Sequence, residues 1–96
     1  MLIHYLVCYD IRETKRLRET HKVVTSYGHP LQYSVFLCSL TPGEKVQLEA
    51  ALHEVINHHV DSVLIVRLGP ANESEPDSFQ WLGDSTPIPL RRTIIF

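Results

Sequence analysis

Glycine is scarce and scattered. Only Gly28, Gly43, Gly69 and Gly83 occur, none close to another, so no glycine-rich phosphate loop of the nucleotide-binding kind is present. Cysteine is limited to Cys8 and Cys38, each inside an apolar run. Both read as small buried thiols of a reducing compartment. A thiolate at Cys8, mid-strand among apolar residues, is disfavoured, and no Ser/His/Asp or Cys/His nucleophile arrangement stands out. The histidines His4, His21, His29, His53, His58 and His59 match no zinc-ligand spacing. No apolar window approaches the about eighteen residues of a membrane span. The N-terminus lacks a charged region and a cleavage site, and a cytoplasmic protein is expected. An excess of one charge is also missing: nine Lys and Arg stand against eleven Asp and Glu, a net charge of -2. Any nucleic-acid binding must therefore come from a local patch.

What is present fits one small domain. The 96 residues are 44% hydrophobic and 21% charged, and a chain of this size buries a modest core that a dimer would reinforce. Residues 2–10 read as a strand rich in Ile, Val and Tyr. Residues 12–27 read as a helix with Leu17, Thr20, Val24 and Tyr27 on its inner stripe, and Gly28 suits a left-handed closing position. Residues 31–40, LQYSVFLCSL, read as one extended segment. Thr41-Pro42-Gly43-Glu44 supplies a cap, a Pro at the first helical position and a Glu three after the cap. That helix is expected to run to about His59, with Leu48, Ala51, Leu52, Val55, Ile56 and His59 on one stripe. Residues 62–68 form a further strand, ANESEPDS an exposed loop, FQWL a short strand and RRTIIF a last one.

Strands alternating with helices indicate an α/β or α+β layer. In the first strand Ile3, Tyr5, Val7 and Tyr9 line one face and Leu2, His4, Leu6 and Cys8 the other. In 62–68, Val63 and Ile65 oppose Leu64, Val66 and Leu68. Both faces are apolar and both need cover. Two helices cover one face. A second copy of the chain is the simplest cover for the other, and the C-terminal tail folding back is the alternative.

Asp10 closes the first apolar run. Asp10-Ile11-Arg12-Glu13 fits the cap-x-x-Glu pattern of a helix start. The other reading is a metal ligand or general base at a strand end. Magnesium takes one or two carboxylates and fills its remaining positions with water and phosphate oxygens, and a two-fold axis near Asp10 would supply two. Arg12, Lys15, Arg16, Arg18 and Lys22 follow, with Glu13 and Glu19 interleaved. They form either a solvated face laced with pairs three or four apart or a phosphate-binding stripe. Arg91 and Arg92 form a smaller second cluster.

YLVCYDI at 5–11, the Arg-rich helix, Gly28, LQYSVFLCSL at 31–40 and DSVLIVRLG at 61–69 together resemble one family. It is the small CRISPR-associated adaptation protein, the non-integrase partner in spacer acquisition, also described as a CRISPR-associated endoribonuclease. The resemblance spans about residues 3–69, and the tail matches loosely. It implies an α+β, ferredoxin-like βαββαβ sandwich over residues 1–69. Residues 70–96 would add a loop and an extra C-terminal strand packing on the partner of a homodimer. It places the family's metal-binding aspartate, and with it Mg2+ and catalysis, on Asp10. Tyr9, Ser34 and Phe36 match site-flanking positions, and Arg16 and Arg18 match the basic helix. Two departures stand out: the Arg that many members carry before the Gln is absent here, and Leu37-Cys38 stand where members often have Glu. The fold needs two strands within 31–40, so a bend near Gln32 to Ser34 is required.

Three functional readings follow. In the first, a metal-dependent endonuclease hydrolyses RNA or double-stranded DNA. In the second, the dimer binds duplex DNA as a spacer and bridges the CRISPR integrase. In the third, a toxin-like or regulatory RNA-binding dimer acts outside CRISPR.

Overall fold

The computed structural model describes residues 1–71 and 79–83. Its elements run β1 (Ile3–Asp10), α1 (Thr14–Thr25), β2 (His29–Gln32), β3 (Val35–Leu40), α2 (Pro42–Val55) and β4 (Ser62–Pro70). The four strands form one antiparallel sheet in the order β2-β3-β1-β4. This is the α+β, ferredoxin-like arrangement expected. Phe79 to Leu82, read as a short strand, is irregular. The polar stretch 72–78, the expected last strand 91–96, and Arg91 and Arg92 lie outside the described residues.

The run 31–40 is divided where a bend was required. Gln32 pairs with Val35, and Tyr33 and Ser34 form the turn. Neither turn residue has positive φ. The hairpin therefore lacks the Asn-Gly chemistry by which tight hairpins are usually read.

Three local expectations are corrected. Asp10 is not the cap of α1; Glu13 is, its carboxylate accepting from the backbone N–H of Arg16 at 2.9 Å and Lys15 at 3.2 Å. Gly28 is not in a left-handed conformation. It is needed because the chain passes hard against β3: a Cβ there would lie 2.4 Å from the Leu37 carbonyl oxygen and 2.5 Å from Cys38 Sγ. And α2 stops at Val55 rather than near His59, because Ile56 turns extended. At its other end the Thr41–Glu44 capping box is present as read, with Pro42 in the first turn.

Both helices pack on one face of the sheet. Tyr5, Val7, Tyr9, Phe36, Cys38 and Leu40 meet Val24, Leu48 and Leu52 there, each large side chain worth about 1.5–3 kcal/mol on burial. Burial pushes the Cys38 thiol up to about 12, which fits an inert structural cysteine. The second face is treated unevenly. Phe79, Trp81 and Leu82 line an open depression of about 450 Å³ with Leu6, Leu31 and Val35. His4 and Ser39, cross-strand neighbours, share a hydrogen bond of 2.7 Å. On β4, by contrast, Leu64 is 60% exposed and Val66 is also exposed. Among the described residues, Phe79 to Leu82 lie over the hairpin end of this face and not over Leu64 and Val66.

Candidate functional site

The end of β1 gathers the residues singled out by sequence. Tyr9 points into the helix-covered face, so Asp10 points away from it, in keeping with strand alternation. Tyr9 is buried and fixed from three sides. Its backbone N–H donates to the Ser34 carbonyl at 3.1 Å. Its hydroxyl lies 2.9 Å from His21 Nδ1 and 3.4 Å from the Tyr33 carbonyl. Its ring stacks on Phe36 at 6.1 Å, and Phe36 also meets His21 edge-on at 5.5 Å. Burial raises the Tyr9 phenol and lowers the His21 imidazole, and the His21 tautomer sets which of the two donates across their contact. Tyr9, Ser34 and Phe36 are thus brought together: they hold the strand end and the hairpin turn in place.

Asp10 itself is exposed, its side chain 64% accessible, and its carboxylate lies 3.5 Å from the Arg12 guanidinium. Lys15, Arg18 and Lys22 are exposed on α1. Their spacing of three and four residues sets them along one side of the helix, over about 10 Å at 1.5 Å per residue.

Arg16 is placed differently from its neighbours. Its Nε donates to Asp61 Oδ2 at 2.7 Å and its Nη2 to Oδ1 at 3.3 Å, and Glu13 lies 3.5 Å away. Asp61 also accepts from the backbone N–H groups of Arg12 at 2.9 Å and Asn57 at 2.8 Å. These donors, the Arg16 guanidinium first among them, hold the Asp61 carboxyl well below the usual carboxylate range. Sequence reading passed over Asp61 and His21. Asp61 had a signal of a kind, an acidic residue opening the quoted stretch DSVLIVRLG, but its partner lies 45 positions earlier.

Among the described residues no group of three or more His, Cys, Asp or Glu side chains is placed to hold a metal ion, and no helix is long and apolar enough to cross a membrane. His53 and His58 stack at 5.1 Å near the end of α2.

The profile of the family described as "CRISPR associated protein Cas2" matches residues 1–75. A CRISPR-associated endoribonuclease Cas2 of Geobacter sulfurreducens is 44% identical over 72 residues, 75% of this chain and 76% of the relative. A CRISPR-associated endonuclease Cas2 of Halalkalibacterium halodurans is 31% identical and spans 95% of this chain and 97% of its own length. The crystal structure of Streptococcus pyogenes Cas2 at pH 6.5 superposes with a TM-score of 0.65 at 38% identity, covering 69% of this chain and 86% of that one. Fold, motif placement and these likenesses agree, and the chain belongs to the CRISPR associated protein Cas2 family.

Proposed function

We propose that the chain acts in CRISPR adaptation as a homodimer that binds nucleic acid and bridges the integrase during spacer acquisition. We further propose magnesium-dependent phosphodiester hydrolysis at Asp10. The supporting observation is the exposed Asp10 carboxylate at the end of β1, beside Arg12 and at the foot of the basic helix. An exposed ion pair is worth only about 0–1 kcal/mol, so a cation or a phosphate separates Asp10 from Arg12 at little cost.

Magnesium suits this donor set. One carboxylate per chain, or two across a dimer axis, is what Mg2+ takes from a protein when phosphate and water complete its shell. When bound, the ion polarises the phosphate and lowers the pKa of an attacking water. The chain's own part is to hold the ion through Asp10 and to bind backbone phosphates through Arg12, Lys15, Arg18 and Lys22. The exposed Leu64 and Val66 support the dimer, since a second copy laid on that face would cover them. Residues 70–96 would complete that contact. The names of the relatives, endoribonuclease and endonuclease, support hydrolysis of RNA or DNA.

A second reading, purely architectural, has its own observation. Asp61 is engaged with Arg16, and buried Leu37 and Cys38 occupy the places where an acidic residue is common. Each chain then offers one carboxylate, and a duplex-binding spacer needs none. Family membership counts against the toxin-like alternative.

Asp10→Ala separates the two readings. If hydrolysis is this protein's task, the variant loses both cleavage of RNA and DNA in vitro and spacer acquisition in cells. Acquisition at the wild-type level would leave the architectural reading alone standing. The separation of the two Asp10 carboxylates in a dimer checks the shared ion: several ångströms permit it, and a far larger distance forbids it.

A further inference from the structure

Asp61 is the most fully satisfied side chain at this end of the molecule. Its carboxylate is 0% exposed and takes four hydrogen bonds from three separate segments: the β1–α1 loop, the first turn of α1, and the loop between α2 and β4. The next residue, Ser62, is the cross-strand partner of Asp10. The same carboxylate therefore grips the loop two residues beyond Asp10 while its backbone leads directly into the strand beside Asp10.

Two neighbours on α1 show the contrast. Arg18 is exposed and extends from the helix, whereas Arg16 is folded back as a fork on Asp61. A planar, two-pronged pair of this kind fixes geometry as well as supplying attraction. Breaking it leaves a buried charge unmatched, so Arg16 does not exchange freely between Asp61 and a passing phosphate.

We infer that Asp61 and Arg16 form a positioning pair for the Asp10 site: they hold the Asp10–Glu13 loop so that the Asp10 carboxylate and the Arg12 guanidinium present side by side, and Arg16 does not itself contact phosphate. The metal-dependent part of this rests on the reading of Asp10 as the ion's ligand. The assignment of Arg16 does not. Nothing in the pair touches substrate; it acts through the loop.

The experiment uses the full chain and the variants Asp10→Ala, Asp61→Asn, Arg16→Gln, the Asp61→Asn/Arg16→Gln double, and Arg18→Ala. Three readouts are taken below the melting temperature of every variant: affinity for Mn2+ alone by calorimetry, amide exchange at Arg12, and the salt dependence of duplex binding. Asp61→Asn and Arg16→Gln are each expected to weaken Mn2+ binding about tenfold, the lower end for groups that orient a metal ligand. The double variant is expected to be no worse than either single, because the two act as a unit. Arg16→Gln is expected to leave the slope of log affinity against log salt unchanged, whereas Arg18→Ala lowers it by about one. Arg12 amide exchange should accelerate in both single variants.

A purely structural pair would lower the melting temperature and leave Mn2+ affinity untouched, and that result overturns the inference. So does a slope reduced by about one in Arg16→Gln. If Asp61→Asn fails to fold, Asp61→Glu keeps the charge pair, displaces the loop by one methylene and carries the same readouts. Failure of the underlying reading shows separately, as wild-type Mn2+ affinity in Asp10→Ala. The Arg12 amide and the Arg16→Gln slope then still decide whether Arg16 positions or contacts.

Discussion

The Tyr9 hydroxyl lies 2.9 Å from His21 Nδ1, tying the last turn-in of β1 to the middle of α1. The same hydroxyl reaches the Tyr33 carbonyl of the hairpin turn. One phenol thus connects the strand that ends in Asp10, the helix that carries the basic stripe and the turn within the Gln-Tyr-Ser-Val-Phe motif. Removing it leaves His21 without this contact in a half-buried place. Tyr9→Phe should cost about 1 kcal/mol of stability, the net worth of such a hydrogen bond. Urea unfolding measures it; stability equal to wild type would show that ring packing on Phe36 alone holds the site.

Asp61 makes stability depend on pH in a stated direction. Its carboxyl titrates below the usual carboxylate range in the folded chain and near about 3.9 when unfolded. The unfolded chain therefore binds the proton first as pH falls. The stabilisation is fully present above roughly pH 4–5 and fades as the pH drops toward the folded value. Asp61→Asn should melt several degrees lower than wild type at pH 7, and the gap should narrow at pH 3. Thermal melts at both pH values decide it, and a gap independent of pH would assign the loss to shape rather than charge.

Gly28 is held by space. A Cβ at that position would meet the Leu37 carbonyl oxygen, Cys38 Sγ and, at 2.9 Å, Cys38 Cα. Two of these three atoms are backbone and cannot swing aside. Gly28→Ala should destabilise by about 3 kcal/mol, the upper end for forced overpacking, and should loosen α1 against β3. Chemical denaturation checks the size, and a change within about 0.5 kcal/mol, the range of surface substitutions, would refute the close approach.

The exposed Leu64 and Val66 test the proposed dimer. Leu64 is exposed in the single chain, so Leu64→Asp should leave the melting behaviour of the monomer close to wild type. Between copies it would bury an unpaired carboxylate. The dissociation constant of the dimer should rise at least about tenfold, equivalent to 1.4 kcal/mol, as read by analytical ultracentrifugation. An unaltered dimer would place the contact on another surface.

The resemblance in the sequence carried far because its motifs are local. Thr41-Pro42-Gly43-Glu44 forms its capping box within four residues, and the alternation of Ile3, Tyr5, Val7 and Tyr9 against their neighbours is a property of any strand. The misreadings of Asp10 and Gly28 share one cause. Asp10 and Glu13 both suit a cap, and the choice was made by Asp61 drawing in the Arg12 amide from 49 positions away. Gly28 read as a turn residue because the atoms that exclude a side chain there belong to β3, not to the helix it follows.

By itself the sequence determined the alternation of extended and helical segments (though not the division of 31–40 into two strands), the two-sided apolar character of β1 and β4, and the family, since periodicity and short motifs are set by neighbours along the chain. The tertiary structure alone decided which of the clustered cations on α1 are available. Arg16 and Arg18 are two residues apart on one helix, but the 3.6-residue turn points them to different sides. One meets a buried carboxylate contributed by a distant loop and the other meets water. Charge can be counted along a sequence, but its use depends on the dielectric surroundings and the partner, and folding supplies both.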